Sequence, residues 1–366
     1  MEDIETAGAP ARRRGYVAAD VFCGGGGLSL GLTWAGFRVS AAVDTDLDCL
    51  ATHHANMRSV GVHRDVAGMS GLDLLRSAGT RPWTLDLLAG SPPCQGWSQA
   101  RRNGHAHDDR NNLVFEFARL VREASPRTFV MENVAMLAAR RGQAALDALR
   151  NIKGYSVCVG VYNCADYGVA QTRRRMVAVG TRHDIPAFVP PPPTASRWLT
   201  VGEALSGLPE PPADGSEHPD YPNHFASRMS PMNCRRFSTV PPGGGWRDIP
   251  EELRLACHRR IQCSSGRWPD VYGRLRADAQ APTITCGFGS VTKGRYGHPA
   301  SNRAITAREA ARLQGFPDRF AFRGDRDSVR RQVGNAVPPP LAEAIGLAIA
   351  RLLIEADGDL ADPIRD

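Results

Sequence analysis

The sequence predicts a doubly wound α/β fold with a mostly parallel sheet, joined to a second, smaller, loop-rich domain. Three observations carry the prediction. Short, continuously apolar runs alternate with stretches at helical spacing over the first half of the chain; a glycine cluster separates the first run from the first helix; and beyond residue 195 apolar periodicity gives way to Gly, Pro and Arg. Strands covered on both faces by crossover helices read as unbroken apolar runs, not alternations. The 366 residues, 42% of them apolar, suffice for a full core with room for one large and one smaller domain.

Residues 17–22 read as a short buried strand running into Gly24, Gly25, Gly26 and Gly27, after which Leu28, Leu32 and Ala35 recur at helical spacing. Gly36 and Phe37 end that helix, and residues 39–43 resume a strand with Asp44 at its carboxyl end, where a carboxylate can accept both hydroxyls of a ribose. A third strand covers residues 85–89. Leu113, Phe117, Leu120 and Val121 mark a helix that Pro126 closes, and residues 128–131 form the strand that delivers Glu132. Residues 155–163 and 176–181 are further strands. Residues 185–194 contain Pro190, Pro191, Pro192 and Pro193, a stiff connector. The domain boundary is placed there: a large domain at 15–188 completed by 331–358, a smaller one at 189–330, and a flexible tail at 1–14. Helical periodicity returns at 306–313, and 341–353 is an amphipathic helix expected to pack back onto the large domain. Apart from the proline run there is neither an internal repeat nor a low-complexity tract.

Two short segments carry chemistry. Pro93-Cys94-Gln95 follows the third strand, and Glu132-Asn133-Val134 ends the next. A thiol and a carboxyl on the loops leaving neighbouring strands converge at the carboxyl edge of an open α/β sheet, an arrangement suited to attack on an electron-poor ring. Taken singly, Cys94 reads as a core thiol and Glu132 as a solvated turn residue. Gly90-Ser91-Pro92-Pro93 ahead of the thiol makes a stiff, exposed loop, a poor setting for packing and a good one for a nucleophile.

Other function classes are disfavoured. Nine cysteines without a C-x-x-C pair suggest neither a disulfide framework nor a zinc site, and Cys257, His258 and Cys263 are a weak cluster best read as structural. No stretch approaches the ~20 apolar residues of a membrane span, and no signal-type apolar core follows Arg12, Arg13 and Arg14, so a cytoplasmic location is expected. The net charge of +7 is local: residues 228–303 hold 13 Lys and Arg against 5 Asp and Glu. A concentrated positive face attracts a polyanion, which makes nucleic acid the leading partner; charge alone leaves a plain Arg-rich surface equally open.

Together these segments resemble the cytosine-5 DNA methyltransferases, in that family's order from Asp20 almost to the C-terminus. Asp20-Val21-Phe22-Cys23-Gly24-Gly25-Gly26-Gly27 is similar to the F-x-G-x-G-G cofactor loop, Pro93-Cys94-Gln95 to the nucleophile motif and Glu132-Asn133-Val134 to the E-N-V motif. Gln171-Thr172-Arg173-Arg174-Arg175 resembles Q-x-R-x-R. Arg303 through Pro317, with Thr306 and Glu309, resembles R-x-x-T-x-x-E, and Gln332-Val333-Gly334-Asn335 resembles Q-x-G-N.

The resemblance implies a Rossmann-like methyltransferase sheet binding S-adenosylmethionine, with no metal. Phe22, Gly24 and Gly26 would lie at the amino-acid end of the cofactor, Asp44 with Thr45 at the ribose, and Asp65 and Val66 at the adenine, with Pro92, Leu113, Asn335 and Val337 completing the pocket. One departure is visible: the ribose position is usually Glu, and Asp44 is one methylene shorter. Cys23 is read as packing. The implied activity flips a cytosine out of duplex DNA, adds Cys94 to C6 and methylates C5 within a short specific sequence. Glu132 would protonate ring N3, Arg175 contact the flipped base, Arg173 reach the nearby phosphate and loop network, and Gln171 support the site. The loop from Gln95 to Asn112 is the expected lid. Arg235, Arg236, Arg259, Arg260, Arg267 and Lys293 are candidate DNA contacts, and Gly243-Gly244-Gly245 is read as a turn. Double-stranded DNA is the expected partner, a monomer the expected state, and an independently acting restriction endonuclease a candidate companion. The rival readings are a transfer RNA cytosine-5 methyltransferase and a catalytically silent DNA-binding relative.

Overall fold

The structure is a computed structural model that describes residues 15–93, 113–139, 142–260 and 270–360. In chain order its first half runs β1 (Val17–Val21), α1 (Gly27–Trp34), β2 (Arg38–Asp44), α2 (Leu47–Asn56), β3 (Val60–His63), α3 (Gly71–Ser77), β4 (Leu87–Gly90), α4 (Leu113–Ala124), β5 (Thr128–Val134), α5 (Gln143–Arg150), β6 (Tyr155–Asn163), β7 (Gln171–Thr172) and β8 (Arg174–Arg182). The second half is shorter in its elements: α6 (Val201–Leu205), α7 (Pro231–Ser238), α8 (Ala256–Arg259), β9 (Ala281–Pro282), α9 (Ala307–Leu313) and α10 (Arg326–Asn335), then the long α11 (Pro339–Leu360).

The main sheet has the order β3-β2-β1-β4-β5-β8-β6. Pairing is parallel from β3 through β5 and antiparallel where β8 joins β5 and β6, so the predicted mostly parallel, doubly wound sheet is present. Alternate residues of each strand feed different cores. Ala18, Leu87, Ala89 and Val130 face the cluster built on α1 and α11, while Ala19, Val21, Leu88, Phe129 and Met131 face the one built on α3, α4 and α5. Burial on both faces explains why these strands read as continuous apolar runs.

From β1 the chain winds outward to β2 and β3, then returns to β4 on the other side of β1. The carboxyl ends of β1 and β4 therefore flank the point where winding reverses, the place where open α/β sheets hold ligands.

The predicted C-terminal helix begins at Pro339 and packs on α1, where Leu28 and Leu32 meet Leu341, Ala342 and Ile345. Gly31 permits that approach: a Cβ there would lie 2.3 Å from the Pro339 carbonyl oxygen. The segment after residue 200 has its own apolar cluster, with Val201, Leu275, Ile284, Phe288, Leu313, Phe316 and Val333, which extends to Leu30 and Ala170 of the first half. A further cluster gathers Phe237, Val240, Trp246, Ile249 and Tyr272. Gly243 to Gly245 form a turn: Gly244 N–H donates to the Pro241 carbonyl and Gly245 N–H to the Asp248 carboxylate.

Candidate active site

The loop after β1 is held open by unusual backbone. Phe22, Gly24 and Gly26 have φ of 58°, 52° and 89°. At Gly24 a Cβ would meet nothing within 4 Å, so the loop leaves free space on that side at the switch point. Asp44, ending β2, accepts from Gly24 N–H at 2.8 Å and from Asp46 N–H at 2.9 Å. One oxygen thus pins the glycine loop and the other the turn into α2, and each keeps a lone pair for a ligand.

The remaining residues expected at a cofactor follow strand ends, open α4 or lie on the C-terminal segment. Thr45 is exposed beside Asp44. Asp65 follows β3, is exposed and caps its turn through Ala67 N–H, while Val66 is buried. Pro92 follows β4 and is buried, and Leu113 opens α4 half-buried. Asn335 ends α10 exposed, and Val337 lies in the core cluster with Leu28.

Cys94 and the expected lid, Gln95 to Asn112, lie outside the described residues. The approach to Cys94 is defined: β4 pairs with β5 in parallel, Gly90 beside Met131, and the Asn133 side-chain amide donates to the Pro92 carbonyl at 3.1 Å. The loop that carries the thiol is therefore tied at its root to the residue after Glu132.

Glu132 is 7% exposed on β5, and its Oε1 lies 2.9 Å from Nε of Arg175 on the adjacent β8. Burial pushes its carboxyl above the ordinary 4.5, against the opposing pull of Arg175, Arg173 and Ser91. A buried carboxyl that keeps its proton longer than usual, beside a fixed guanidinium, is equipped to donate that proton into the site.

Arg173 departs from expectation. It is 2% exposed, and its guanidinium donates to the carbonyls of Ile284 at 2.8 Å, Gly334 at 3.1 Å and Ala336 at 3.0 Å. Burial, aided by the Arg175 charge, lowers it to about 9. Both terminal nitrogens are engaged by protein carbonyls and Nε is sealed without a partner, so Arg173 staples its own segment to those of Ile284 and of Gly334 to Ala336 and does not reach toward a phosphate. Gln171 completes the staple, its side-chain oxygen accepting from Ile284 N–H at 2.7 Å.

Sequence reasoning passed over Asp20 and Gln332 as individual actors. Asp20 is fully buried in β1, accepts from the Ser29 hydroxyl at 2.6 Å and is pushed up by burial to about 7. The Gln332 carbonyl oxygen accepts from Thr52 of α2 at 2.6 Å and would lie 3.0 Å from a Cβ on Gly25, so it braces the glycine loop. Both stand inside motifs already singled out, which is the signal that could have found them.

The candidate DNA contacts are scattered. Arg235 and Arg260 are exposed, Arg236 donates to the Leu253 carbonyl and Arg259 to that of Glu252, and Arg267 lies outside the described residues. The Cys257–His258–Cys263 cluster is not a constellation among the described residues: His258 stacks against Trp246 with centroids 4.7 Å apart, Cys257 is exposed, and Cys263 is not described. No single described helix is long and apolar enough to cross a membrane.

Known proteins of similar sequence and fold share one family description. The C-5 cytosine-specific DNA methylase family model matches residues 16–351. The chain is 36% identical over 341 residues to the type II methylase M.HgiDII of Herpetosiphon aurantiacus, covering 91% of this chain and 95% of that one. It is 38% identical over 339 residues to the type II methyltransferase M1.HphI of Haemophilus parahaemolyticus, covering 91% and 86%. Among solved structures, an E. coli protein described as a prophage-encoded DNA modification methyltransferase superimposes with a TM-score of 0.69 at 28% identity, over 93% of this chain and 99% of that one.

Proposed function

The chain belongs to the C-5 cytosine-specific DNA methylase family and is a DNA (cytosine-5-)-methyltransferase, and from that premise we propose how its residues divide the reaction. S-adenosylmethionine supplies an electrophilic methyl group when bound. The carboxyl edge of β1, β2 and β4 suits such a group: the side of Gly24 is open, Asp44 is oriented by two backbone donors yet keeps acceptor capacity, and Val66 and Pro92 offer apolar wall. Phe22, Gly24 and Gly26 line its amino-acid end, Asp44 and Thr45 its ribose, and Asp65, Val66, Pro92, Leu113, Asn335 and Val337 the remainder.

Cytosine C5 is a weak nucleophile until the aromatic ring is interrupted. The Cys94 thiolate adds to C6, and Glu132 hands its proton to ring N3, taking up the charge the addition creates. Arg175 orients the carboxyl and faces the flipped base; Arg173 and Gln171 hold the strand that carries Arg175. Once C5 is methylated, loss of its proton to a base and expulsion of Cys94 restore aromaticity. The cytosine must leave the stack to meet these groups. No metal has a part in this scheme.

The observation that carries the reading is the buried Glu132 paired with Arg175, one residue before the amide that ties the Cys94 loop. A duplex containing 5-fluorocytosine tests it, because that ring has no C5 proton to lose. With S-adenosylmethionine present to methylate C5, the wild type should form an adduct that survives denaturing electrophoresis; Cys94→Ser should form none, and an adduct in that variant would remove Cys94 from the mechanism.

We further propose that residues 189–330 act as a smaller, target-recognising domain beside a catalytic domain at 15–188 and 331–358. In this reading the protein works as a monomer in the bacterial cytoplasm, alongside an independently acting restriction endonuclease. The type II names of the relatives support that companion, and the DNA methylase family model favours DNA over transfer RNA.

A further inference from the structure

A groove of about 670 Å³ runs between α10 and the loop before and after Val291, outside the Glu132 site. Its walls carry Arg228, Lys293, Arg326, Arg330 and Arg331 against a single carboxylate, Asp327, which is already engaged by Arg330 at 2.5 Å. The cations are of two kinds. Arg326 and Arg330 are built into the walls: Arg326 donates to the Gly215 carbonyl and stacks 4.2 Å over Phe225, and Arg330 donates to the Ser227 hydroxyl at 3.1 Å. Arg228 and Lys293 are exposed, and neither makes an ion pair among the described residues.

The groove borders residues of the expected cofactor edge. Cys286 lines it, and the Cys286 thiol reaches the side-chain oxygen of Asn335 at 3.3 Å. Arg331 stands one helical turn before Asn335 on the same face of α10, 4.0 Å from Asp46, the residue that caps α2. The Arg173 staple fixes this wall to the strand bearing Arg175, by bonding Ile284 on one side and Gly334 and Ala336 on the other.

We propose that this groove is a backbone track: it takes consecutive phosphodiesters of the DNA strand flanking the target cytosine, with Arg228 and Lys293 as direct phosphate contacts and Arg326 and Arg330 as its fixed electropositive walls. Phosphate contacts position a duplex without reading it, so these residues set affinity and register, and sequence choice lies elsewhere. The proposal rests on the DNA methyltransferase reading above.

The test compares the full-length wild type with Arg228→Ala/Lys293→Ala, titrating a short duplex containing the methylated sequence and an unrelated duplex over a salt series. Wild-type methyl transfer to the first duplex is measured beforehand. Removing one cation from a phosphate should make the slope of log affinity against log salt shallower by about 0.9, so the double variant should lose about 1.8 on both duplexes alike, with unchanged sequence preference. The charge-preserving Arg228→Lys/Lys293→Arg should restore the wild-type slope, which an effect of misfolding would not do. A double variant with the wild-type slope overturns the track, as does one that keeps its slope but relaxes sequence preference, or loses slope only on transfer RNA. A wild type that transfers no methyl to DNA would refute the underlying enzyme reading, and the track with it.

Discussion

Glu132→Gln isolates the proton that the mechanism requires. The replacement keeps the shape of a side chain that is 7% exposed, and its amide oxygen can still accept from Arg175, which lies 2.9 Å from the carboxylate in the wild type. What disappears is a proton deliverable to N3. Positioned general acids contribute roughly 10²–10⁴-fold, so kcat should fall by that factor, or about 2.7–5.4 kcal/mol of barrier, with KM values for DNA and methyl donor nearly unchanged. The pH dependence adds a second signature. Burial raises this carboxyl above 4.5, so the active, protonated form persists to higher pH than for an ordinary glutamate, and the wild-type rate declines as pH rises through the raised value. Glu132→Gln should lack that decline. Stability moves with it: the carboxyl's contribution is fully present below about 4.5 and is lost as pH rises through the raised value, so the variant should gain on the wild type over that window. Methyl transfer to duplex DNA measured across pH, with thermal melts at each point, reads both. A variant within threefold of wild-type kcat, or one retaining the declining limb, would refute the assignment of Glu132 as proton donor.

Arg173→Ala strips donors from three carbonyls whose partner is fully buried, and should cost about 3–5 kcal/mol in urea unfolding; a loss under about 1 kcal/mol would contradict the staple. Gly24→Ala places a methyl group in open space at φ of 52°, so stability should fall by only about 1–2 kcal/mol while calorimetric affinity for S-adenosylmethionine drops at least tenfold; unchanged affinity would move the cofactor off this loop. Asp20, raised from 3.8 to about 7 by burial, contributes stability that is present below pH 3.8 and lost as pH rises through about 7. Asp20→Asn should flatten the melting temperature over that interval, and an unaltered pH profile would show that Asp20 is not the titrating group.

The parts of the fold legible in the sequence were those where burial is two-sided or periodic. Strands β1, β2 and β6 fell where their apolar runs lie, and α4 showed itself through Leu113, Phe117, Leu120 and Val121. The helix α2 was missed because its buried face mixes Cys49 and Leu50 with Thr52 and His53, which blurs the period, although Asp46 caps it through Asp48 and Cys49 N–H. In α10, Arg326, Arg330 and Arg331 disguised a helix whose buried side is Val329, Gln332 and Val333.

At the site, the motifs singled out Glu132, Arg173 and Arg175 but could not tell an arginine paired with a carboxylate from one sealed among carbonyls. Arg173, just before β8, and Arg175, within it, are two residues apart, and they differ through carbonyls contributed by Ile284, Gly334 and Ala336, more than a hundred positions away. The same non-locality hid the basic groove, because Arg228, Lys293 and Arg331 are neighbours only in the folded chain. Counting charge between 228 and 303 located a basic segment, yet its Arg236 and Arg259 are occupied with backbone carbonyls.

The most direct test of the central claim is to incubate the purified wild type and Cys94→Ser with methyl-labelled S-adenosylmethionine and, in parallel, unmethylated duplex DNA and transfer RNA, then map the label by base-resolution sequencing. The account predicts label on cytosine C5 of DNA at one short sequence, none in transfer RNA, and none with the variant. Label confined to transfer RNA, or full methylation of DNA by Cys94→Ser, would contradict it.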